Sequence, residues 1–391
     1  MRNLGNAIKQ WIREYGKEKT MERVKEGLTT GTIKSREIRL GGLADGLLGE
    51  TWATKLSRPL RALEAVEAVD ASAFQDITGQ LLVTEVQQAY NSPEFIGDKL
   101  MRVIDESAPF NLGEQVVPKI SNVLDGPSRL QPGQPYPSTQ MVEDWVSYPA
   151  IGKFGEVLRI FLETVLTDRT GQIQESAAKL GRRARLDREE RQLSVILGLT
   201  NNFKWKGTSY NTYQPTTPWI NVKSGQTVAG ASHSIINEVE QLAAQMVDPY
   251  SNKPIEINPT GLLCMPESKY DFKNILRATS VTVGPYATSG DNRINNAPNP
   301  LDVEYPLYSS KIARALVIAS GVSAANAKNW WFLADFQKAF IYRQVLPFET
   351  IEAPPTNPDD FNQDVVMSVK VREMGAAGTH DPRYAFKSYG A

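Results

Sequence analysis

The sequence predicts an α+β fold, on three observations. Val365, Met367, Val369 and Val371 alternate with Val366, Ser368, Lys370 and Arg372, the period of two that marks a strand with one buried face. Residues 168–198 carry Ile173, Ala177, Leu180 and Ala184 at steps of four, three and four, which is helical spacing. Helices and short apolar runs are mixed elsewhere without the regular strand–helix alternation of a doubly wound sheet.

In chain order, residues 2–26 read as a helix with an apolar stripe at Leu4, Ile8, Trp11 and Tyr15. Seven basic residues against four glutamates leave this segment at +3, and the charges read as a solvated face. The helix itself reads as an arm outside the subunit core. Gly27 to Gly49 reads as a joint, because Gly41, Gly42 and Gly46 disfavour a helix. Residues 58–69 and 74–89 read as helices, with Pro59 in a first turn, and 96–105 as a shorter piece.

Residues 127–137 hold four prolines and one glycine, which excludes a helix or central strand. The whole span of 113–165 reads as a long two-stranded excursion. A hairpin of that length is marginal alone in water and needs a surface to lie on. The helix at 168–198 would span roughly 45 Å at 1.5 Å per residue. It carries Arg182, Arg183, Arg185, Arg188 and Arg191 among Asp187, Glu189 and Glu190. The interleaved acids favour a salt-bridge-laced face over a DNA contact.

Residues 201–232 read as an extended loop and 234–247 as an amphipathic helix capped by Ser232 or Ser234. Leu262-Leu-Cys-Met ends at Pro266, the pattern of a buried strand. Residues 285–306 form a second Pro/Asn-rich loop. Short strands follow at 315–319, 330–333 and 339–344.

Composition narrows the chemistry. The chain has 391 residues, enough for one large core or two to three small ones. Its 43 basic and 44 acidic residues give a net charge of −1, unlike a dedicated nucleic-acid binder. A single cysteine, Cys264, allows no internal disulfide. Two histidines, His233 and His380, leave little for a metal cluster or a histidine-based triad. No run approaches the ~18–20 apolar residues of a membrane span, and the N-terminal residues lack the apolar core of a secretory signal. The expected setting is the cytosol of a producing cell. No catalytic, cofactor-binding or metal residue is assigned, and no cofactor is expected. Adjacent acids such as Asp359-Asp360 and Glu189-Glu190 read as solvated charge, not as a hydrolase pair.

Several blocks in one order resemble tailed-bacteriophage major capsid proteins of the Hong Kong 97 type, in the branch related to Mu-like head proteins. Tyr148-Pro-Ala-Ile-Gly-Lys-Phe-Gly-Glu is similar to the family's aromatic-Gly-Lys step. The Arg-rich helix resembles its spine helix. Ala243 to Pro266, with Asp248-Pro249, Pro254-Ile255 and Pro259, resembles the axial-domain pattern of helix, turn and buried strand. Trp330-Trp-Phe-Leu-Ala-Asp and the C-terminal strand with Asp381-Pro-Arg complete the order. The resemblance covers about 113–391; residues 1–112 match no motif.

The resemblance implies a Hong Kong 97-type capsid fold. It places an N-terminal arm or extension with helices at 1–112, an E-loop at 113–165 and a peripheral domain at 166–232 with its spine helix at 168–198. It places an axial domain at 233–338, peripheral-domain strands at 339–360 and a strand returning to the axial domain at 361–391. It implies a structural, non-enzymatic protein that self-assembles into the icosahedral shell around a double-stranded DNA genome. The implied partners are further copies of the chain in hexamers and pentamers, portal and decoration proteins, and packaged DNA contacted without sequence preference. The implied location is the virion, with assembly in the host cytoplasm. Some family members carry an isopeptide cross-link, for which Lys153 and Asn357 would be the donor and acceptor. An encapsulin-type compartment shell shares the fold and is the alternative.

Overall fold

The computed structural model describes residues 2–30, 32–33, 38, 40–49, 51–56, 65–106, 112–120, 134, 143–167, 171–200, 203–231, 233–248, 253–278, 280–281, 297–298, 301, 305–353 and 363–390. The elements run α1 (Arg2–Tyr15), α2 (Lys17–Thr29), α3 (Leu40–Leu48), α4 (Trp52–Leu56), α5 (Ala65–Tyr90) and α6 (Gly97–Leu100). Then come β1 (Arg102–Asp105), β2 (Gln115–Ile120), β3 (Glu143–Tyr148), β4 (Gly152–Phe161), α7 (Leu162–Thr167) and α8 (Gln172–Ile196). They continue with β5 (Phe203–Trp205), β6 (Thr208–Tyr210), β7 (Val222–Ser224), α9 (Ser234–Ala244), β8 (Gly261–Cys264) and α10 (Lys269–Arg277). A small ribbon of β9 (Ser280–Val281) and β10 (Ala297–Pro298) precedes β11 (Leu307–Ser309), α11 (Lys311–Ala319) and α12 (Ala324–Ala327). The chain closes with β12 (Trp331–Ala334), α13 (Phe336–Ala339), β13 (Phe340–Ala353), β14 (Val365–Thr379) and β15 (Ala385–Tyr389).

The chain divides into two compact units. The first comprises 1–94, 153–187 and 346–374; the second comprises 95–152, 188–345 and 375–391. In the first, α1 packs on α3 and α2 on α5. Ile8, Ile12, Val24 and Leu28 share one apolar core with Leu40, Leu43, Leu47, Phe74, Ile77 and Leu81, and with Val369 and Val371 of β14. The alternation read at 365–372 holds, except that Val366 is buried too. Gly181 of α8 lets that helix meet α5 closely: a Cβ there would lie 2.2 Å from the Val86 carbonyl oxygen.

The second unit holds a five-stranded sheet in the order β11-β8-β12-β15-β7. Strand β12 runs antiparallel to both β8 and β15, with Trp331 opposite Cys264 and Ser388. Successive side chains enter opposite layers. Leu263, Phe332 and Ala385 pack with Ala313 and Val317 of α11. Leu262, Cys264, Trp331, Leu333 and Phe386 pack with Ile236 and Val239 of α9 and Phe272 of α10. Burial on both faces explains why β8 and β12 are continuous apolar runs.

Several expectations are overturned. The N-terminal segment is two helices, broken at Gly16 in the left-handed region (φ +82°), and it belongs to a core. The stripe is also shifted: Ile8 and Ile12 are buried, Trp11 is partly buried and Tyr15 is exposed. Helix α3 contains Gly41, Gly42 and Gly46. Burial of Leu40, Leu43, Ala44, Leu47 and Leu48 outweighs a propensity cost of about 1 kcal/mol per glycine. Residues 315–319 lie in helix α11, whose Ser310 cap accepts from the Ile312 and Ala313 amides; a short apolar run alone does not separate helix from strand.

The loop read at 201–232 contains β5, β6 and β7. Helix α9 starts after His233 with no side-chain cap, and Ser232 lies outside the described residues. The segment 96–105 is α6 followed by β1, and β13 extends nine residues beyond the expected Gln344. Residues 74–89 lie in α5, which starts at Ala65. Residues 127–137 except Gln134, and 285–296 of the second loop, lie outside the described residues.

Candidate assembly surface

Strands β2 and β3 form an antiparallel hairpin in register from Gln115 opposite Tyr148 to Ile120 opposite Glu143. They join through 121–142, of which Gln134 alone is described. The expected single excursion over 113–165 is not what forms. The hairpin continues into β5 and β6 as a four-stranded sheet of the second unit, whereas β4 lies beside β14 in a different sheet. The reason is chemical: Val146 and Tyr148 are apolar enough to join Phe203 and Trp219 in a core.

The root of the hairpin is bolted by buried charge. Arg343, 1% exposed, forks onto Glu106 with Nε–Oε1 at 2.6 Å and Nη2–Oε2 at 2.9 Å. It also donates to the Pro149 carbonyl at 3.3 Å and to Gln115 Oε1, and its guanidinium lies over the Tyr148 ring. The bidentate geometry is the strong form of a carboxylate–arginine pair. Tyr148 shares a hydrogen bond of 2.5 Å with His380 Nδ1, and burial pushes its phenol up to about 12. A second anchor is Asp144, whose Oδ1 accepts from the Trp205 indole N–H at 2.7 Å.

The outer face is different. Val116 is 59% and Trp145 40% exposed. Pairing sets Val116 opposite Ser147 and Pro118 opposite Trp145, so these side chains share one face. Lys204, opposite Ser147 on the neighbouring strand, pairs with Glu114 at 2.7 Å, and that hydrogen bond holds the Glu114 carboxyl below its usual range. In the first unit, Val157 and Phe161 of β4 and Leu166 of α7 are likewise exposed. Gly155 lets β4 approach β14: a Cβ would sit 2.5 Å from the Val371 carbonyl oxygen. Lys153 is exposed on this strand; Asn357 lies outside the described residues.

The Arg-rich helix carries ion pairs as expected, but burial of Glu189 corrects the solvated-charge reading of Glu189-Glu190. Arg188 is buried, pairs with Asp98 at 2.9 Å, donates to Gln344 and stacks over Tyr342. Arg185 is buried with its guanidinium over the Tyr90 ring. Glu189 is fully buried, and its carboxylate accepts from the Ile96 and Gly97 amides at 2.9 and 2.8 Å. That satisfies the amides at the start of α6. Of the five arginines, Arg182 follows the expected pattern of an exposed pair, with Glu94 at 2.9 Å. Asp359-Asp360 lie outside the described residues.

Arg383 joins two sequence landmarks. It reaches Asp248 at 2.9 Å and Asp381 at 2.7 Å, which ties the Asp-Pro turn after α9 to the Asp-Pro step before β15. Burial would disfavour its charge, but the two carboxylates hold the guanidinium firmly protonated. Cys264 is buried in β8, and burial pushes its thiol up to about 12, which makes it structural. Among the described residues no group of three or more His, Cys, Asp or Glu is arranged to hold a metal, and no helix is long and apolar enough to cross a membrane.

The profile of a family described as phage capsid protein matches residues 146–388. The chain belongs to that family. The match begins at Val146 on the inner face of the hairpin root and ends at Ser388 of the closing strand. It therefore takes in the anchors described above except Asp144 and the partners at 90–115. A phage capsid protein is a structural component of the virion, and its task is to assemble with further copies into a shell. No curated protein matches the sequence.

Solved structures similar to this capsid protein include the capsid of the cyanophage P-SCSP1u, at 13% identity, covering 76% of this chain and 88% of that one with a TM-score of 0.48. The Gordonia phage Cozz structure is also 13% identical, covering 76% and 87%, with a TM-score of 0.47. A virus-like particle from Pyrococcus furiosus is 12% identical, covering 80% and 99%, with a TM-score of 0.39. The family assignment rests on the profile match.

Proposed function

We propose that this capsid protein is the major shell subunit of a tailed bacteriophage, built on the Hong Kong 97-type fold. Copies close as hexamers and pentamers into an icosahedral shell around double-stranded DNA, assembled in the host cytoplasm, with portal and decoration proteins as further partners. Within the shell, the β2–β3 hairpin of the expected 113–165 span serves as the E-loop, 166–232 with α8 as the peripheral domain, and 233–338 as the axial domain. The protein carries out no catalysis, and a net charge of −1 suits a shell that encloses DNA without gripping it.

The observation that carries this reading is the divided character of the hairpin. Its root is fixed by Arg343–Glu106 and Asp144–Trp205, while its outer face leaves Trp145 and Val116 in water. A rigid strand pair with an apolar outer face supplies a contact that symmetric repetition multiplies. Replacing 127–142 by a short Gly linker leaves β3 intact. We expect a soluble, folded subunit that forms no shells in negative-stain micrographs. Normal shells from this variant would remove the E-loop from the mechanism.

A further inference from the structure

The charge of this chain is unevenly placed. Strands β8 and β11 run parallel, so their carboxyl ends lie at one rim of the five-stranded sheet of the second unit. From that rim start α10, through the short turn Pro266–Ser268, and α11. The Ser268 hydroxyl donates to the carbonyl of Lys328, just past α12, and Arg314 of α11 pairs with Glu267. These contacts bring residues 266–278 and 311–328 together. The two stretches hold six basic residues, Lys269, Lys273, Arg277, Lys311, Arg314 and Lys328, against two acids, Glu267 and Asp271. That leaves +4 here in a chain whose total is −1.

Among the described residues, Arg314 alone of the six has a carboxylate partner. The charges also sit where helices disfavour them. The start of α11 holds Lys311 and Arg314 and no acid, and α10 begins on Lys269, although a helix N-terminus already carries partial positive charge. Along α10, Phe272 and Ile275 are buried in the core. Lys269, Lys273 and Arg277 recur at steps of four, with about 6 Å of rise between them. Tyr270 is 72% exposed, and Lys273 Nζ lies 5.8 Å from the centre of its ring. The other exposed residues of this helix are Asn274 and Arg277, so the tyrosine belongs to a cationic face and not to an apolar patch.

We propose that this rim and the outer face of α10 are the surface by which the subunit contacts the sugar–phosphate backbone of DNA. The inference rests on the reading of the protein as a shell around double-stranded DNA. Cations gathered at helix starts without carboxylate partners leave a positive field that an external polyanion neutralises. A phosphodiester backbone presents a row of single negative charges to the row of cations along α10, and Tyr270 offers a hydroxyl to a phosphate. An apolar protein partner would find one aromatic ring here and little else. A few phosphate contacts per subunit give a weak, salt-sensitive and sequence-independent hold, which repetition over a shell multiplies.

The test is fluorescence anisotropy of a short labelled DNA duplex of arbitrary sequence with the unassembled full-length chain, at low and moderate salt. Four phosphate contacts at a slope of about 0.9 each predict roughly a 100-fold loss of affinity between about 50 and 200 mM salt. Lys273→Gln, Arg277→Gln, Lys311→Gln and Lys328→Gln together should reduce that loss to roughly tenfold or less. The melting temperature should not move, because none of the four side chains is buried. Tyr270→Ala should weaken binding severalfold at low salt. A control that removes equal charge from the first unit, Lys19→Gln with Lys179→Gln, Arg182→Gln and Lys370→Gln, should keep the parent's salt dependence. No binding of the duplex at low salt, an unchanged salt dependence in the rim variant, an equal loss in the control, or binding of polyglutamate in place of the duplex would overturn the proposal. Micrographs of the rim variant keep the two readings apart: intact shells with unchanged DNA affinity reject this surface and not the shell.

Discussion

The N-terminal helices and the β2–β3 hairpin look alike in sequence, as amphipathic segments with no obvious core of their own, yet they end in opposite situations. Ile8 is 1% exposed and packs with Leu40, Leu43 and Leu47. Val116 and Trp145 keep about half their surface in water. The difference lies in what each segment can reach within its own chain. Helices α1 and α2 find α3 and α5 close in sequence, so their apolar stripe is satisfied locally. The hairpin spends one face on the core beneath and its edge on β5, while Val116 and Trp145 on the other face stay exposed. Apolar periodicity shows that a segment needs a partner; it does not show whether that partner is its own chain or another copy.

The sharpest way to break this contrast is at Ile8 and Ile12. Replacing both by alanine empties buried volume, and each such truncation costs about 2–5 kcal/mol. Thermal denaturation of the unassembled subunit should show a large drop in Tm or outright loss of the first unit's cooperative transition. An unchanged melting curve would return α1 to the status of a free arm.

The hairpin root gives the next largest effect. Arg343→Met leaves Glu106 without its bidentate partner, and breaking such a buried pair costs about 3–5 kcal/mol. The companion change Arg343→Met with Glu106→Gln should recover much of that loss, because the carboxylate no longer stays uncompensated. Denaturant titration of both variants separates the two cases. Equal stability of the single and double variants would mean that the charge pair does not hold the root.

The smallest effect on stability is expected at the hairpin's outer face. Trp145→Ser with Val116→Thr removes exposed apolar surface, so subunit stability should move by no more than about 0.5 kcal/mol per site. Shell yield, measured by sedimentation, should fall sharply. A variant that assembles like the parent would show that this face is not buried between copies.

The two regions also separate what was legible in residues 1–391 alone. Strands β8, β12 and β14 and helix α8 were readable within a few residues, because burial on both faces gives continuous apolar runs and burial on one gives a period of 2 or 3.6. The excess of strand over loop at 203–224 was not, since three-residue strands carry no period of their own. The arginines of α8 were visible, but their partners were not: Arg188 finds Asp98 and Glu189 caps α6 across some ninety residues.

Tertiary structure alone decided three matters. It made a helix of Leu40–Leu48 in spite of its glycines, because leucine burial outweighs backbone entropy. It turned 315–319 helical, because Ser310 caps and Ala313 and Val317 bury one face. It joined Arg343 to Glu106 across 237 residues, a pairing whose Coulomb energy exists only once both groups are withdrawn from water together. Local pattern is written by the periodicity of burial, which each segment carries by itself; the choice of partner belongs to distances that the chain acquires only on folding.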